Sequence, residues 1–267
     1  MLATQRQERI LAEVRAHGAV RVADLVAALD VSDMTVRRDI AELAGAGLVR
    51  RVHGGAVAPE TPARSTDEPG FEAKRTWASA EKAGVARAAL ADVEPGQSLA
   101  LSAGSTTWLL ASMIAADPAL RPLTVVTNGL RVADVLHGAD DVEVVLTGGA
   151  RTPSDALVGP VADATLASLR VDRAFLGVHG LDADGPTTPN LAEAATDRAL
   201  VRCAAATTVL ADHTKWGTVG LARICGFDEI DTLVVDTGLS ADARTHLEAA
   251  VDRLVLAAPA PVTGDAP

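Results

Sequence analysis

Apolar residues change their spacing once along the chain, near residue 60. Before that point they recur at helical intervals. Ile10, Leu11 and Val14 make one face, Leu25, Val26 and Leu29 a second, and Val36, Ile40 and Leu43 a third, each the stripe of a helix buried on one side. After it come short uninterrupted Val and Leu runs at 98–101, 123–127, 142–146, 174–178, 207–210 and 232–235, with a last one at 254–257. Helical stretches separate most of them. Continuous apolar runs alternating with helices predict a largely parallel α/β sheet buried on both faces. The stretch between the two patterns, "PETPARSTDEPG" at 59–70, gathers Pro, Thr, Ser and charges and reads as a linker. The expected domains are therefore 1–58 and 71–258, with a disordered tail at 259–267 inside the stretch "APAPVTGDAP" that begins at Ala258.

The first domain reads in detail as a winged helix-turn-helix spanning about 20–39. Thr4 and Gln7 have capping-box spacing at the start of the first helix, and Gly18 suits its end. A three-residue turn, Asp30 to Ser32, leads into the third helix. Ser32 suits its N-cap and Asp33 complements its dipole. The face opposite the Val36, Ile40 and Leu43 stripe is expected to carry Thr35, Arg37, Arg38 and Asp39. Arginines and hydroxyls near the start of the second helix of such a pair can enter the major groove. Whether the arginines pair with guanine or neutralise phosphate stays open at this stage. "LVRRVHGGAV" then reads as two short strands around His53, Gly54 and Gly55, a wing bearing Arg50 and Arg51.

In the second domain the segments that follow the strands carry the chemistry: "SAGSTT", "TNG", "TGG", "HGLDADGPTT", "ADHTKWG" and "DTG". In a parallel sheet these loops line one edge, where ligands bind. Gly104 allows close backbone approach, while Ser105, Thr106 and Thr107 offer hydroxyls and amides at a helix start, an anion cradle. The GK[ST] ending of a nucleotide loop and the GxGxxG of a dinucleotide fold are both missing. A small phosphate ester fits better than a nucleoside triphosphate or NAD, and no cofactor is expected. Lys215 is a candidate charge for the phosphate, Asn128 and Asp182 are candidate partners for hydroxyls, and Ser102 and Gly149 complete the candidate set. His179 and His213 stand too isolated for metal ligands, and Trp216 reads as packing.

Charge sharpens the division of labour. The chain of 267 residues carries −11 overall. Residues 1–57 hold eight Arg, no Lys and seven acids, about +1, which leaves −12 for the rest. Only the N-terminal domain is a plausible nucleic-acid surface. With no Tyr, three Phe and three Trp, an aromatic platform for base stacking is excluded. Cys203 and Cys225 lack the spacing of a zinc site or a disulfide framework and read as buried apolar residues. Neither a signal peptide nor a membrane-length apolar run appears, so a cytoplasmic protein is expected.

"SDMTVRRDIAEL" followed by "LVRRVHGGAV" resembles the DNA-binding domain of the DeoR family of bacterial transcriptional regulators, through Ser32, Thr35, Arg37, Arg38, Asp39, Arg51, His53, Gly54 and Gly55. The resemblance continues over most of 68–236, through Lys82, "AGSTT", "VVTNGL", "LTGG", "VGPVA", "FLGVHGLDADGPTT" and "ADHTKWG". It implies an effector domain similar in fold to ribose-5-phosphate isomerase, a phosphorylated sugar or related metabolite as ligand, and repression of a carbohydrate operon. Ser102 departs from the acid usual two residues before the glycine of this loop. Most helix-turn-helix operators are two-fold, so a homodimer or homotetramer on operator DNA is expected. The rival is an active sugar-phosphate isomerase with an appended DNA-binding domain. Its expected Gly-Ala-Asp-Glu stretch is here Gly180, Leu181, Asp182 and Ala183, and "GPTTPN" replaces its glycine run, leaving Glu193 or Asp197 as the remaining candidate bases. A purely architectural DNA protein is disfavoured by the large acidic second domain.

Overall fold

The computed structural model describes residues 3–17, 19–46, 48–52, 54–57 and 70–260, in two units that divide at Asp67 and Glu68. Gly18, Gly47, His53, all of the expected linker except Gly70, and residues 261–267 lie outside the described residues.

In the N-terminal unit, α1 (Ala3–His17), α2 (Val22–Leu29) and α3 (Asp33–Gly45) bury the three predicted stripes in one core around Ile10, Val14, Leu25, Leu29, Val36, Ile40 and Leu43. Asp30, at φ 51°, makes the left-handed turn between α2 and α3. The predicted wing is present as β2 (Arg50–Val52) and β3 (Gly55–Val57), but a third strand, β1 (Ala19–Arg21), pairs with β3. Gly55 lies where a Cβ would sit 2.0 Å from the Val20 carbonyl oxygen, so this pairing requires glycine. Two readings need correction. Helix α1 already includes Ala3, which places Thr4 inside its first turn and not at its cap. Asp39 is 2% exposed and is not on the open face, because Arg6 of α1 reaches it with Nε 2.7 Å from Oδ2.

The second unit opens with α4 (Phe71–Thr76) and α5 (Ser79–Leu90). Then follow β4 (Ser98–Leu101), α6 (Ser105–Ala116), β5 (Leu123–Thr127), α7 (Leu130–Leu136) and β6 (Val142–Leu146). A small hairpin, β7 (Ala150–Arg151) and β8 (Leu157–Val158), precedes α8 (Pro160–Ala167) and β9 (Val171–Gly177). The remainder is β10 (Gly180–Asp182), β11 (Gly185–Thr188), α9 (Leu191–Cys203), β12 (Ala204–Ala211), β13 (Ala222–Arg223), β14 (Thr232–Asp236), α10 (Ala241–Ala250) and β15 (Arg253–Ala257).

All seven predicted strands form one parallel sheet in the order β15-β14-β12-β9-β4-β5-β6. Apolar residues of α5, α6 and α7 cover one face, and those of α8, α9 and α10 the other. This two-sided burial is why the inner strands read as continuous Val and Leu; the edge strands β6 and β15 are only partly buried. Chain order reverses between β4 and β9, which sit side by side although β5 and β6 intervene in sequence. The loops leaving those two strands diverge to opposite faces and leave a crevice between them.

Two further differences from the sequence reading concern connections. "GLDADGPTT" is not a loop: it folds as the β10–β11 hairpin, and β13 pairs with β11. Ala260, placed in the expected tail, is instead buried, and its N–H donates to the Ala80 carbonyl at 2.8 Å. The same segment runs so close to α5 that a Cβ at Gly84 would lie 2.1 Å from the Ala258 oxygen.

Candidate functional site

The N-terminal unit presents the start of α3. Ser32 Oγ accepts the Thr35 N–H at 3.2 Å, capping the helix as the sequence predicts, and the two hydroxyls lie 2.8 Å apart. Arg37 Nε donates to Asp33 Oδ1 at 2.5 Å and Arg38 Nε to Glu42 Oε1 at 3.2 Å. Both pairs are exposed, with Arg38 82% open. Exposed i,i+4 pairs contribute little to stability, so a phosphate or a guanine edge can displace either carboxylate at little cost. Arg51 is exposed on β2 and Gly54, at φ 85°, turns the wing. His53, also predicted to contact DNA, lies outside the described residues. Sequence reasoning passed over Met34, which is 77% exposed beside Thr35 on the first turn of α3. An apolar side chain there can meet a thymine methyl.

In the second unit the crevice sits at the β4–β9 reversal. Gly104, at φ 155° and ψ 162°, turns the chain from β4 into α6 in a conformation that other residues avoid, and it caps the helix without a side chain. The first-turn amides of α6 are left to face a ligand, as helix N-termini do. Ser105 and Thr106 line the crevice with Gly104, and Asn128 and Lys215 join them. Thus five of the nine predicted effector residues come together at this cavity.

The other four stand elsewhere. Ser102 lies beneath the floor, 1% exposed, its Oγ accepting the Gly177 N–H at 2.9 Å and donating to the Ala103 carbonyl. Thr107 is fully buried and donates to the Gly104 oxygen. Gly149 packs against Val158. Asp182 turns back on its own hairpin, accepting the Asp184 N–H at 2.9 Å. Even Asn128, which reaches the lining, has its amide committed: Oδ1 accepts from Ala103 N–H and Nδ2 donates to the Leu157 carbonyl.

Several lining residues were outside the predicted effector set: Phe71 and Lys74 of α4, Lys82 of α5, which the sequence offered only through the family resemblance, His179 after β9, and Glu193 and Asp197 of α9, which it offered only as candidate bases of the rival reading. Lys82 is 2% exposed and its Nζ donates to the Lys74 carbonyl at 2.6 Å. Burial first, and then the nearby Lys215 cation, push the Lys82 pKa down to about 7, with Asp212 opposing. Burial, Lys215 and Lys74 likewise push His179 down to about 3, so its imidazole is neutral. Burial works to raise the pKa of Asp212, but Lys215, Lys82 and the Thr214 hydroxyl outweigh it and hold the acid below the ordinary carboxylate range. Asp212 Oδ1 takes the N–H and hydroxyl of Thr214, and its buried Oδ2 has no hydrogen-bond partner among the described residues. Glu193 is fixed differently, its Oε1 accepting the Thr152 hydroxyl at 2.6 Å and the Ser154 hydroxyl at 2.5 Å. Lys82 stood in the sequence as part of the family resemblance, without a role. Nothing local marks Lys74.

The arrangement is thus an anion cradle, with helix amides and three lysines converging beside two carboxylates able to accept hydroxyls. Among the described residues, no group of three or more His, Cys, Asp or Glu side chains is placed to hold a metal ion, and no helix is long and apolar enough to cross a membrane.

Comparison with known proteins adds the family. The model of the DeoR-like helix-turn-helix domain matches residues 6–62, and that of the DeoR C terminal sensor domain matches residues 77–237. The HTH-type transcriptional regulator GlpR of Haloferax volcanii is 35% identical over 94% of this chain and 96% of its own length. The glycerol-3-phosphate regulon repressor of Escherichia coli K12 is 31% identical over 88% and 92%. Among solved structures, ribose 5-phosphate isomerase A of Methanocaldococcus jannaschii is matched at 17% identity and a TM-score of 0.38, over 51% of this chain and 53% of that one.

Proposed function

Because this chain belongs to the DeoR family of transcriptional regulators, we propose that it is a sequence-specific repressor of a carbohydrate-metabolism operon, released by a small phosphorylated sugar or related metabolite. The observation that carries this reading is the anion cradle at the sheet's reversal point, built by the first turn of α6 with Lys74, Lys82 and Lys215. A relative named for the glycerol-3-phosphate regulon supports a phosphorylated effector. The N-terminal unit reads operator DNA through α3, with Ser32, Thr35, Arg37 and Arg38 at the groove and Arg51, His53 and Gly54 on the wing. The working form is a cytoplasmic homodimer or homotetramer, as two-fold operators require.

The crevice senses its ligand and does not turn it over. Asp182, which stands where an isomerase carboxylate is expected, faces its own hairpin. Glu193 spends one carboxylate oxygen on two hydroxyls of the wall.

The test begins with selection of a bound duplex from random DNA by the full-length protein. Arg37→Ala with Arg38→Ala should abolish binding to that duplex while leaving the melting temperature unchanged; retained binding overturns the recognition-helix assignment. A thermal-shift screen of phosphorylated sugars should raise the melting temperature for a subset of them. Such a hit should release the duplex, and Lys215→Ala should remove both effects. Release that survives Lys215→Ala would place the effector elsewhere.

A further inference from the structure

Glu193 lines the crevice from the first turn of α9, with only 7% of its surface exposed. Its backbone is fixed by Asn190, whose side-chain oxygen caps the helix by accepting the Ala192 and Glu193 N–H groups at 2.9 and 3.2 Å. Its side chain is fixed by the turn between β7 and β8. Thr152 and Ser154, themselves buried, bring both hydroxyls to the same carboxylate oxygen, Oε1, at 2.6 and 2.5 Å. That turn is held in its own right: the Thr152 N–H donates to the Ala156 carbonyl at 2.8 Å, and Asp155 pairs with Arg131 and Arg151.

The second oxygen, Oε2, is left over. No described residue donates to it or pairs with it. Nor is it one of the sealed polar atoms that lack a partner, which among the described residues are Arg121 Nε, Arg173 Nε and Asp212 Oδ2. Oε2 therefore opens on the space that Glu193 lines. A carboxylate oxygen in a largely buried site needs donors in place of the water that a ligand displaces. The first turn of α6, in the same cavity, takes the anionic end of that ligand. The donor must come from the remainder of the bound molecule.

We propose that Glu193 Oε2 is the specificity-determining acceptor of the sensor: it takes a hydroxyl hydrogen from the part of the effector that carries no phosphate, so the effector is a phosphorylated polyol or sugar and neither an alkyl phosphate nor a phosphorylated acid. This rests on the effector reading given above and adds to it which phosphate esters the site accepts. A ligand without the hydroxyl leaves Oε2 desolvated and unpaired, which costs about tenfold or more in affinity. A carboxylate in the same place meets the charge of Glu193 and is excluded more strongly.

The test measures dissociation constants by calorimetry on the full-length protein. The probes are inorganic phosphate and, at matched chain lengths, alditol phosphates, alkyl phosphates and phosphorylated aldonic acids. At one chain length or more the alditol phosphate should bind about tenfold tighter than the alkyl phosphate, with the acid weaker than both. Equal affinities at every length, or binding of inorganic phosphate alone, overturn the assignment while the sensor reading stands. A protein that binds neither phosphate nor any of the esters sinks both. Glu193→Gln separates this residue from the other lining groups. The Thr152 and Ser154 hydroxyls need an acceptor, so the new amide turns its carbonyl oxygen to them and its NH2 to the crevice. Turned the other way, it would strand at least one hydroxyl hydrogen. The order should therefore reverse: the phosphorylated acid gains about tenfold and the alditol phosphate loses about as much. Inorganic phosphate should bind at least as tightly as before, since a like charge has gone. A variant that keeps the wild-type order overturns the proposal. Should its melting curve show that the variant does not fold, the order of the three esters on the wild type decides alone.

Discussion

Raising the pH from 7 to 9 should weaken anion binding at the crevice about fiftyfold, because the cation that burial makes most costly, Lys82, loses its proton over that range. With a pKa of about 7 in the empty protein, Lys82 is about half protonated at pH 7 and about one-hundredth protonated at pH 9. An anion that binds the ammonium form therefore loses about fivefold in affinity from pH 7 to 8 and about tenfold from 8 to 9. Each binding event at pH 8 should take up about 0.9 proton from solvent. The groups facing Lys82 do not blur this: Lys215 and Lys74 are cations that lower it, Asp212 is held ionised and opposes them, and His179 is already neutral with a pKa near 3. Sulfate is the suitable probe, being a dianion throughout. Calorimetric titrations in two buffers of different ionisation enthalpy give the proton count directly. Uptake below about 0.3 proton at pH 8 would refute the assignment of Lys82 to the anion site. Lys82→Arg, charged at every pH, should bind sulfate with a flat profile from 7 to 9.

The same shift must appear in stability, with a definite sign. Lys82 is protonated up to about pH 10.5 in the unfolded chain but only up to about 7 in the folded one. Between those values the unfolded state binds more protons, so this group makes stability rise with pH. A difference of about 3.5 units at 1.36 kcal/mol each gives a slope that integrates to about 5 kcal/mol, fully felt as a penalty below pH 7. Lys82→Met should therefore stabilise the protein at pH 6 and change it little near pH 10, as denaturant titrations would report.

Three further outcomes follow from particular contacts. Asp39→Ala removes the two-point contact with Arg6 from a site that is 2% exposed and should lower the melting temperature of the N-terminal unit; an unchanged melt would make the pair ornamental. Gly55→Ala drives a methyl into the Val20 carbonyl and should cost about 2 kcal/mol together with most of the affinity for DNA. Both cysteines are buried and the Cys225 thiol is pushed up to about 12, by burial first and then by Glu229 and Asp197, so iodoacetamide should leave the folded protein unmodified at pH 7 and label it once denatured.

How much of this was legible in the sequence depended on whether a residue's surroundings were local. The five inner sheet strands were visible because they are largely buried and the apolar signal is continuous, and the partly exposed edge strands β6 and β15 were visible from their Val and Leu runs alone. The β10–β11 hairpin was not, since Gly185, Pro186, Thr187 and Thr188 are buried without being apolar. Asp39 was misplaced by its chemistry, although its position was informative. It lies three residues after Val36 and four before Leu43, on the buried stripe itself, and only Arg6, 33 residues away, makes that tolerable. The crevice repeats the lesson at finer scale. Successive residues of a helix point about 100° apart, so Ser105 and Thr106 face the cavity while Thr107 turns inward to the Gly104 carbonyl. Three hydroxyls that look alike in "GSTT" thus divide between ligand and scaffold. Lys74 and Lys82 come from helices that precede the first sheet strand, and what brings them to the cradle is the packing of α4 on α6 and of α5 on the sheet. A pattern of neighbours along the chain carries the elements; the charge that makes the cradle an anion site comes from neighbours across it.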